Sequence, residues 1–199
     1  MHRLHFIPYN VVMPEALEKT ALLVMDVQPG ITDRLNNADE YLKKVKAAVT
    51  KAHESHVPVI YVVVGFRPGF PEVNLRNKSF QTVKETMAAH LVDPRPVLTP
   101  TGDDMVVVKH RVSAFSGSDL EVLLRAQGIQ HLVLAGIATS GVVLSTIREA
   151  ADKDFRLTVL SDLCADFDAE VHSILLEKVF PRQATVITSE QWVHMKKGE

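Results

Sequence analysis

Short continuous apolar runs recur along the chain, and the segments between them space their apolar residues differently. Continuous runs rich in β-branched side chains predict strands that are buried on both faces of a sheet. The predicted strands are Thr20–Met25, Val57–Val64, Met105–Val108, His131–Ala135, Arg156–Leu160 and Ala184–Ile187. Apolar residues three and four positions apart predict helices between the strands. The predicted helices are Ala38–His56, Gln81–Leu91, Ser118–Gln127, Thr139–Lys153 and Ala169–Phe180, with a closing helical turn at Thr188–His194.

Regular alternation of strands and helices predicts an α/β fold. The expected architecture is a three-layer α/β/α sandwich around a mostly parallel, Rossmann-like sheet of about six strands. A chain of 199 residues fits a single domain. We expect residues 1–19 to form an N-terminal arm and residues 20–192 to form the α/β core. The arm either packs on the body or a partner subunit, or remains a partly ordered tail.

Composition and charge narrow the class of protein. The net charge of −2 argues against a nucleic-acid-binding protein, which normally carries a basic face. No apolar run approaches about 18 residues, so no membrane span is expected, and the N-terminus does not resemble a signal peptide. The single cysteine, Cys164, excludes a disulfide framework and a multi-cysteine metal site. The cytoplasm is the expected location.

Polar groups follow three of the predicted strands. Asp26 comes directly after the first strand, Lys109 after the third, and the small-residue turn Gly136–Val142 after the fourth. In a parallel sheet, ligands bind at the carboxyl ends of the strands. If these strands are neighbours, an acid, a cation and a set of backbone N–H groups converge there. Taken singly, Asp26 could cap a loop and Lys109 could end a strand in solvent; together they predict a functional site.

The turn after the fourth strand allows two other interpretations. Its glycine spacing resembles a phosphate-binding loop, but Val142 and Val143 stand where that motif requires Lys and Ser or Thr. Ser140 lies in a strand–turn–helix setting like a nucleophile elbow, although Ala138 and Val142 replace the glycines of that motif. We therefore exclude the phosphate loop and keep a serine hydrolase as an alternative.

Acidic and histidine residues downstream bear on that alternative. Asp162 or Asp166, followed by His172, has the chain order of a hydrolase triad with Ser140. A histidine at a helix start is, however, more often a surface residue. The histidines of the chain are scattered without metal-ligand spacing, so no metal site is expected.

Four segments together resemble the isochorismatase-like hydrolase family, which includes nicotinamidases and related cysteine hydrolases. The resemblance covers residues 20–192 and rests on ALLVMDVQPG at Ala21–Gly30, VVVKHRVSAFSGSDLEVLLRAQGI at Val106–Ile129, LVLAGIATSGVVLSTIREAADKDF at Leu132–Phe155, and LSDLCADFDAEVH at Leu160–His172. It implies the family's isochorismatase-like α/β fold. It also implies a catalytic set of Asp26, Lys109 and the position of the family cysteine, which here is Val142.

The resemblance further implies a non-proline cis peptide at Ile137–Ala138 and an oxyanion hole built from backbone N–H groups of that turn. Nicotinamidases add a metal site of one Asp and two His after the second strand. The corresponding sequence here is Gly65-Phe66-Arg67-Pro68, which lacks those ligands. We therefore expect no metal and no cofactor, and nicotinamidase activity is not indicated.

Valine at position 142 excludes one mechanism. A cysteine hydrolase attacks an amide carbonyl with a thiolate, and valine has no lone pair to do so. Cys164 lies about two dozen residues away on another predicted loop, and a free cysteine is commonly a small buried hydrophobe. We interpret it as structural.

One chemistry of the family needs no thiol. Isochorismatases cleave a vinyl ether, and Asp26 would act as the general acid while Lys109 orients a substrate carboxylate. The residues expected to bind substrate or form the oxyanion hole are Gln28, Arg67, Arg111, Phe115, Ile137, Ala138, Thr139, Ser140 and Gly141. Phe115 could equally be an ordinary core residue. The long loop Gly65–Ser79 is expected to set specificity.

A non-catalytic protein on the same fold is the second class of hypothesis. Loss of the nucleophile with retention of the scaffold would suit a protein that binds a small molecule or serves in assembly. In either case the expected partner is a small-molecule substrate or ligand. The apolar faces at the helix ends and the N-terminal arm favour a homo-oligomer.

Overall fold

Six parallel strands form one central sheet in the computed structural model, which describes residues 18–195. The strands are β1 (Thr20–Met25), β2 (Val59–Val64), β3 (Met105–Lys109), β4 (His131–Ile137), β5 (Arg156–Ala165) and β6 (Thr185–Ile187). Their order across the sheet is β3-β2-β1-β4-β5-β6. The predicted α/β class and parallel sheet are therefore confirmed. The order reverses between β1 and β4, where open α/β sheets bind ligands at the carboxyl ends of the strands.

Helices cover both faces of this sheet. They are α1 (Ala38–Glu54), α2 (Lys78–Leu91), α3 (Leu120–Gln127), α4 (Leu144–Asp152), α5 (Ala169–Ile174) and α6 (Ser189–Met195). Single turns supplement them: 3-10 turns at Thr32–Arg34 and Phe180–Arg182, and π-helical turns at Thr139–Val143 and Leu175–Val179. Within residues 18–195, no helix is long and apolar enough to cross a bilayer.

Alternate residues of the strands feed two separate cores. Leu23 and Met25 of β1 lie in the core beneath α3 and α4, whereas Leu22 and Val24 lie in the core beneath α1 and α6. Both sets are apolar because both faces of a parallel sheet are covered by helices. This is why the strands appear in the sequence as continuous apolar runs rather than alternating ones.

The segment 65–77 is irregular, as its prolines and glycines predict, but it has a small core of its own. Phe66 and Phe70 are buried with their ring centroids 5.4 Å apart, and both pack in one apolar cluster with Phe80 of α2. Helix α2 begins earlier than predicted, because the Asn77 side chain accepts a hydrogen bond from the Phe80 N–H and caps it.

The end of β5 differs from the prediction. Residues 161–165 were expected to be loop, yet β5 continues to Ala165 because β4 also continues, to Ile137, and provides a partner. The register shifts between Leu134 and Gly136, and Gly136 then pairs with Cys164. Cys164 is therefore a buried strand residue and not a loop residue.

Two predicted helices are interrupted. The segment predicted as one helix from Thr139 begins with the π-helical turn, in which Gly141 has the non-helical angles φ −100° and ψ −105°. The segment predicted from Ala169 to Phe180 changes from α to π to 3-10 geometry. Local apolar spacing cannot distinguish these geometries, because all of them present a similar face to the core. Of the predicted N-terminal arm, residues 1–17 lie outside the described part of the chain.

Candidate active site

Asp26 and Lys109 meet although their strands are not neighbours. Strand β2 lies between β1 and β3, and adjacent strands are about 4.8 Å apart. The condition of neighbouring strands is therefore met by β1 and β4 but not by β1 and β3, and the lysine side chain spans the gap. Its Nζ lies 3.0 Å from Asp26 Oδ2. The acid and the cation thus form a direct ion pair at the carboxyl edge of the sheet.

The surroundings of this pair are almost closed to solvent. The Lys109 side chain is 2% exposed, and its Nζ also donates a hydrogen bond of 2.9 Å to the Arg111 carbonyl oxygen. Asp26 directly follows β1 with a left-handed backbone, φ 56°, while its N–H donates to the Val62 carbonyl oxygen. The chain therefore turns sharply at Asp26 while the residue stays tied to β2.

The two oxygens of the Asp26 carboxyl group have different environments. Oδ2 pairs with Lys109, whereas Oδ1 is buried and has no hydrogen-bond partner in the described part of the chain. Burial raises the pKa of Asp26, and this effect outweighs the opposing influence of the Lys109 charge and hydrogen bond. The site therefore combines a carboxyl group disposed to hold a proton with a cation that stabilises its ionised form.

The end of β4 approaches β1 closely. A Cβ atom on Gly136 would lie 2.5 Å from the Met25 carbonyl oxygen, so only glycine fits beside the end of β1. The Ile137–Ala138 peptide bond that follows is cis, as the resemblance implied. These two features bring residues 137–142 next to the strand end that carries Asp26.

Two of the expected oxyanion donors are already engaged. The Ser140 N–H donates to Asp166 Oδ2 at 2.6 Å, and the Gly141 N–H donates to the Ala138 carbonyl oxygen at 3.1 Å. The Thr139 side chain is hydrogen-bonded to His172, with 2.8 Å between Oγ1 and Nδ1. The expected use of the Ser140 and Gly141 amides by a bound oxyanion therefore does not fit this turn as it stands.

Val142 lies where the turn meets the core. Its side chain is 2% exposed and belongs to the apolar cluster that includes Met25 and Phe115. Phe115 packs its ring 5.8 Å from that of Phe155. Of the two interpretations offered for Phe115, the structure favours the core residue over the pocket wall.

Three further substrate-binding candidates have different environments. Gln28 is fully buried, and its side-chain amide both donates to the Val64 carbonyl oxygen and accepts from the Val64 N–H. Arg67 is exposed and ion-paired with Glu72. Arg111 is exposed and donates to the His110 carbonyl oxygen, with no carboxylate partner in residues 18–195. Gln28 thus connects the loop after β1 to β2. Of the two arginines, Arg111 is the one whose charge is not neutralised by a carboxylate within residues 18–195.

The triad considered for Ser140 is not assembled. His172 bonds to Thr139, and no hydrogen bond joins His172 to Ser140 within the described segment. Asp166 accepts N–H groups of Ser140, Phe167 and Asp168. Partial burial opposes ionisation of Asp166, but these hydrogen bonds prevail and lower its pKa. Asp166 is therefore a carboxylate that organises loop backbone.

Cys164 is buried in β5, and burial raises its pKa to about 12. Its thiol does not supply a thiolate near neutral pH, which agrees with a structural role. In residues 18–195, no cluster of His, Cys, Asp and Glu side chains is arranged to hold a metal ion.

The contact between Thr139 and His172 was not foreseen. The sequence indicates Thr139 as a residue of the oxyanion turn and His172 as the triad partner of Ser140. The two residues are 33 positions apart, and no local pattern marks a hydrogen bond between side chains on different segments.

Comparisons with known proteins agree with this architecture. The Isochorismatase domain family matches residues 20–191. The uncharacterized isochorismatase family protein YecD of Escherichia coli O157:H7 is 31% identical over 175 residues, which is 86% of this chain and 93% of YecD. A probable isochorismatase of Pseudomonas chlororaphis is 33% identical over 181 residues, covering 88% of this chain and 86% of that protein.

A solved structure shows the same fold. An isochorismatase family protein from Burkholderia thailandensis superposes with a TM-score of 0.77 at 28% identity, covering 90% of this chain and 96% of that protein. Residues 20–191, which match the family, contain all six strands and the ion pair between Asp26 and Lys109. The chain belongs to the isochorismatase family.

Proposed function

We propose that this protein is a hydrolase that cleaves a vinyl ether, with Asp26 as the general acid and without a covalent intermediate. One observation carries the proposal: Asp26 is a buried carboxyl group with a raised pKa, whose Oδ2 pairs with Lys109 and whose Oδ1 has no partner among residues 18–195. A general acid must hold its proton until substrate is bound, and burial favours that protonated form. A relative named probable isochorismatase supports this reaction class.

The reaction balances with water as the only co-substrate. Asp26 transfers its proton to the terminal carbon of the C=C–O group, and a new C–H bond forms as the C=C π bond breaks. The resulting oxocarbenium ion takes up water at the adjacent carbon and loses a proton. The hemiketal then collapses to a ketone and an alcohol, and Asp26 regains a proton. No step requires a nucleophilic side chain.

Lys109 has a defined part in this scheme. After proton transfer, Asp26 is a carboxylate in a buried site, which is unfavourable without a counter-ion. The Lys109 ammonium, 3.0 Å from Oδ2, stabilises that carboxylate. Burial therefore maintains the acid before transfer, and Lys109 stabilises its conjugate base afterwards. The two opposing influences on the Asp26 pKa serve different stages of one reaction.

Val142 fits the same scheme. We propose that it occupies the position of the family cysteine, where its buried apolar side chain adds to the desolvation of the site. A thiolate would be needed for an amide substrate but not for a vinyl ether. The proposal therefore accounts for a site that keeps its acid and its cation while lacking a nucleophile.

The test is hydrolysis of isochorismate and of simple 2-alkoxyacrylates in D₂O. Proton transfer to carbon predicts one deuterium in the methyl group of the ketone product at early times, detected by mass spectrometry before the methyl group exchanges. Asp26→Asn should abolish turnover, whereas Val142→Ala should retain it. Turnover that survives Asp26→Asn would overturn the role of the acid. A folded wild-type protein that binds these compounds but never cleaves them would favour the non-catalytic binding protein.

A further inference from the structure

The segment that follows β5 holds the β4–α4 turn through two hydrogen bonds. Asp166 accepts the Ser140 N–H at 2.6 Å, and His172 of α5 lies 2.8 Å from the Thr139 hydroxyl. Thr139 and Ser140 are consecutive residues directly after the cis peptide. Two neighbouring residues of the turn are therefore each hydrogen-bonded to a residue of the segment 166–172.

The turn needs such support because its own hydrogen bonding is irregular. The Ala138 carbonyl oxygen accepts both the Gly141 N–H at 3.1 Å and the Val143 N–H at 3.3 Å. Gly141 has non-helical backbone angles within this turn. Regular α-helical bonding begins only with α4, so the positions of residues 138–142 depend on contacts from outside the turn.

None of the residues of helix α5 is buried, and the nearest core residue on this segment is Leu175 of the π-helical turn that continues it. The hydrogen bond between His172 and Thr139 is a direct side-chain link between α5 and the turn. Burial lowers the pKa of His172 while the Asp166 charge opposes this shift, so the neutral ring is favoured, which suits a hydrogen bond with a hydroxyl.

Thr139 is too buried to act on a substrate. Its exposed fraction is 0%, so its hydroxyl is not available as a nucleophile even with a histidine beside it. The contact between the two side chains positions the backbone instead. Since residues 137–142 adjoin the strand end that carries Asp26, a displaced turn would alter the space in which the substrate meets the acid.

We infer that His172 is a positioning residue, which acts through the Thr139 hydroxyl and alongside Asp166 to hold the β4–α4 turn in register with Asp26. This inference rests on the proposed function for its kinetic test, and it adds residues from α5 and from the segment after β5 to a site that otherwise involves β1, β3 and β4. Displacing the residues that support an active site by about 1 Å typically lowers the rate about 10- to 100-fold.

Matched variants test the inference in the full-length protein. Thr139→Val and His172→Leu remove the hydrogen bond at similar volume, whereas Thr139→Ser and His172→Asn keep a polar atom near the same place. We expect kcat on a 2-alkoxyacrylate to fall about 10- to 100-fold in the first pair with KM changed less than about threefold, and to recover in the second pair. Equal activity in all four variants would overturn the positioning role. Losses of activity that merely parallel a lowered melting temperature would overturn it too.

A second readout separates this inference from the proposed function. Amide hydrogen exchange of Ser140, followed by NMR, reports the order of the turn without any substrate. Thr139→Val and His172→Leu should speed that exchange at least tenfold relative to Thr139→Ser. If the wild type hydrolyses no vinyl ether but this difference appears, the proposed function fails while the positioning role stands. If exchange is unchanged, the positioning role fails whatever the activity.

Discussion

The buried pair of Asp26 and Lys109 predicts a large coupling free energy. Two unit charges 3.0 Å apart attract by about 5.5 kcal/mol at an effective dielectric constant of 20, and by about 1.4 kcal/mol in bulk water. Both side chains are at least nine-tenths buried, so the coupling should lie in the upper part of that range when both groups are ionised. Removing either partner alone should cost about 3–5 kcal/mol.

A double-mutant cycle measures this coupling. The variants are Asp26→Asn, Lys109→Met and the pair of substitutions together, with free energies of unfolding from urea titration. The exposed pair of Lys44 and Glu40 on α1 is a matched control, since its charged atoms are 2.9 Å apart. Distance alone would predict equal coupling in the two pairs. Burial predicts strong coupling in the first and coupling near the limit of measurement in the second.

The cycle should also depend on pH, and the sign follows from the raised pKa of Asp26. A carboxyl group whose pKa is raised on folding binds its proton more tightly in the folded state. The folded protein therefore loses stability as pH rises from the ordinary aspartate pKa through the raised one, and Asp26→Asn removes that loss. The coupling to Lys109 should increase over the same interval, because Asp26 becomes ionised.

Two results would refute this reasoning. The first is a coupling no larger than that of the exposed control pair at a pH where Asp26 is ionised. The second is a wild type whose stability rises, relative to Asp26→Asn, across that pH interval. Either result would mean that burial does not raise the pKa of Asp26. The basis for its role as a general acid would then be lost.

Three further predictions concern the neighbourhood of the site. Gly136→Ala should cost about 2–3 kcal/mol, because its Cβ would lie 2.5 Å from the Met25 carbonyl oxygen; an unchanged urea midpoint would contradict the close approach. The Cys164 thiol, whose pKa is raised to about 12, should stay unreactive towards a disulfide reagent at pH 8 until the protein unfolds. Val142→Cys should create a second thiol that iodoacetamide labels before Cys164, as mass spectrometry would show, because the Asp26 carboxylate would take its proton; failure to react would argue that Asp26 does not act on a thiol at this position.

The strands of the sheet were largely predictable from local pattern. Burial on both faces forces continuous apolar runs, and β1 was predicted with the bounds that the structure shows. The extension of β5 to Ala165 was not predictable in the same way. Residues 161–165 include polar side chains, and they are a strand only because β4 extends beside them. A strand end depends on its partner as much as on its own residues.

Some residues of the candidate site were likewise predictable from local pattern, and others were not. Asp26 and Lys109 were recognisable because each directly follows an apolar run, and the carboxyl ends of parallel strands share an edge. The structural roles of Gln28 and Phe115 were not predictable from the sequence. A buried glutamine bonded to the Val64 backbone and a phenylalanine packed on Phe155 look, in sequence, like residues that could line a pocket.

What the sequence determined by itself is the order of strands and helices and the chemistry available at each strand end, including the lack of a lone pair at Val142. These follow from side-chain polarity and from spacing along the chain. Only the tertiary structure decided that Lys109 reaches past β2 to Asp26, that Asp26 Oδ1 has no partner in the described part of the chain, and that His172 is hydrogen-bonded to Thr139. Each of these is a contact between segments distant in sequence. Such contacts depend on strand order and burial, which no local pattern encodes.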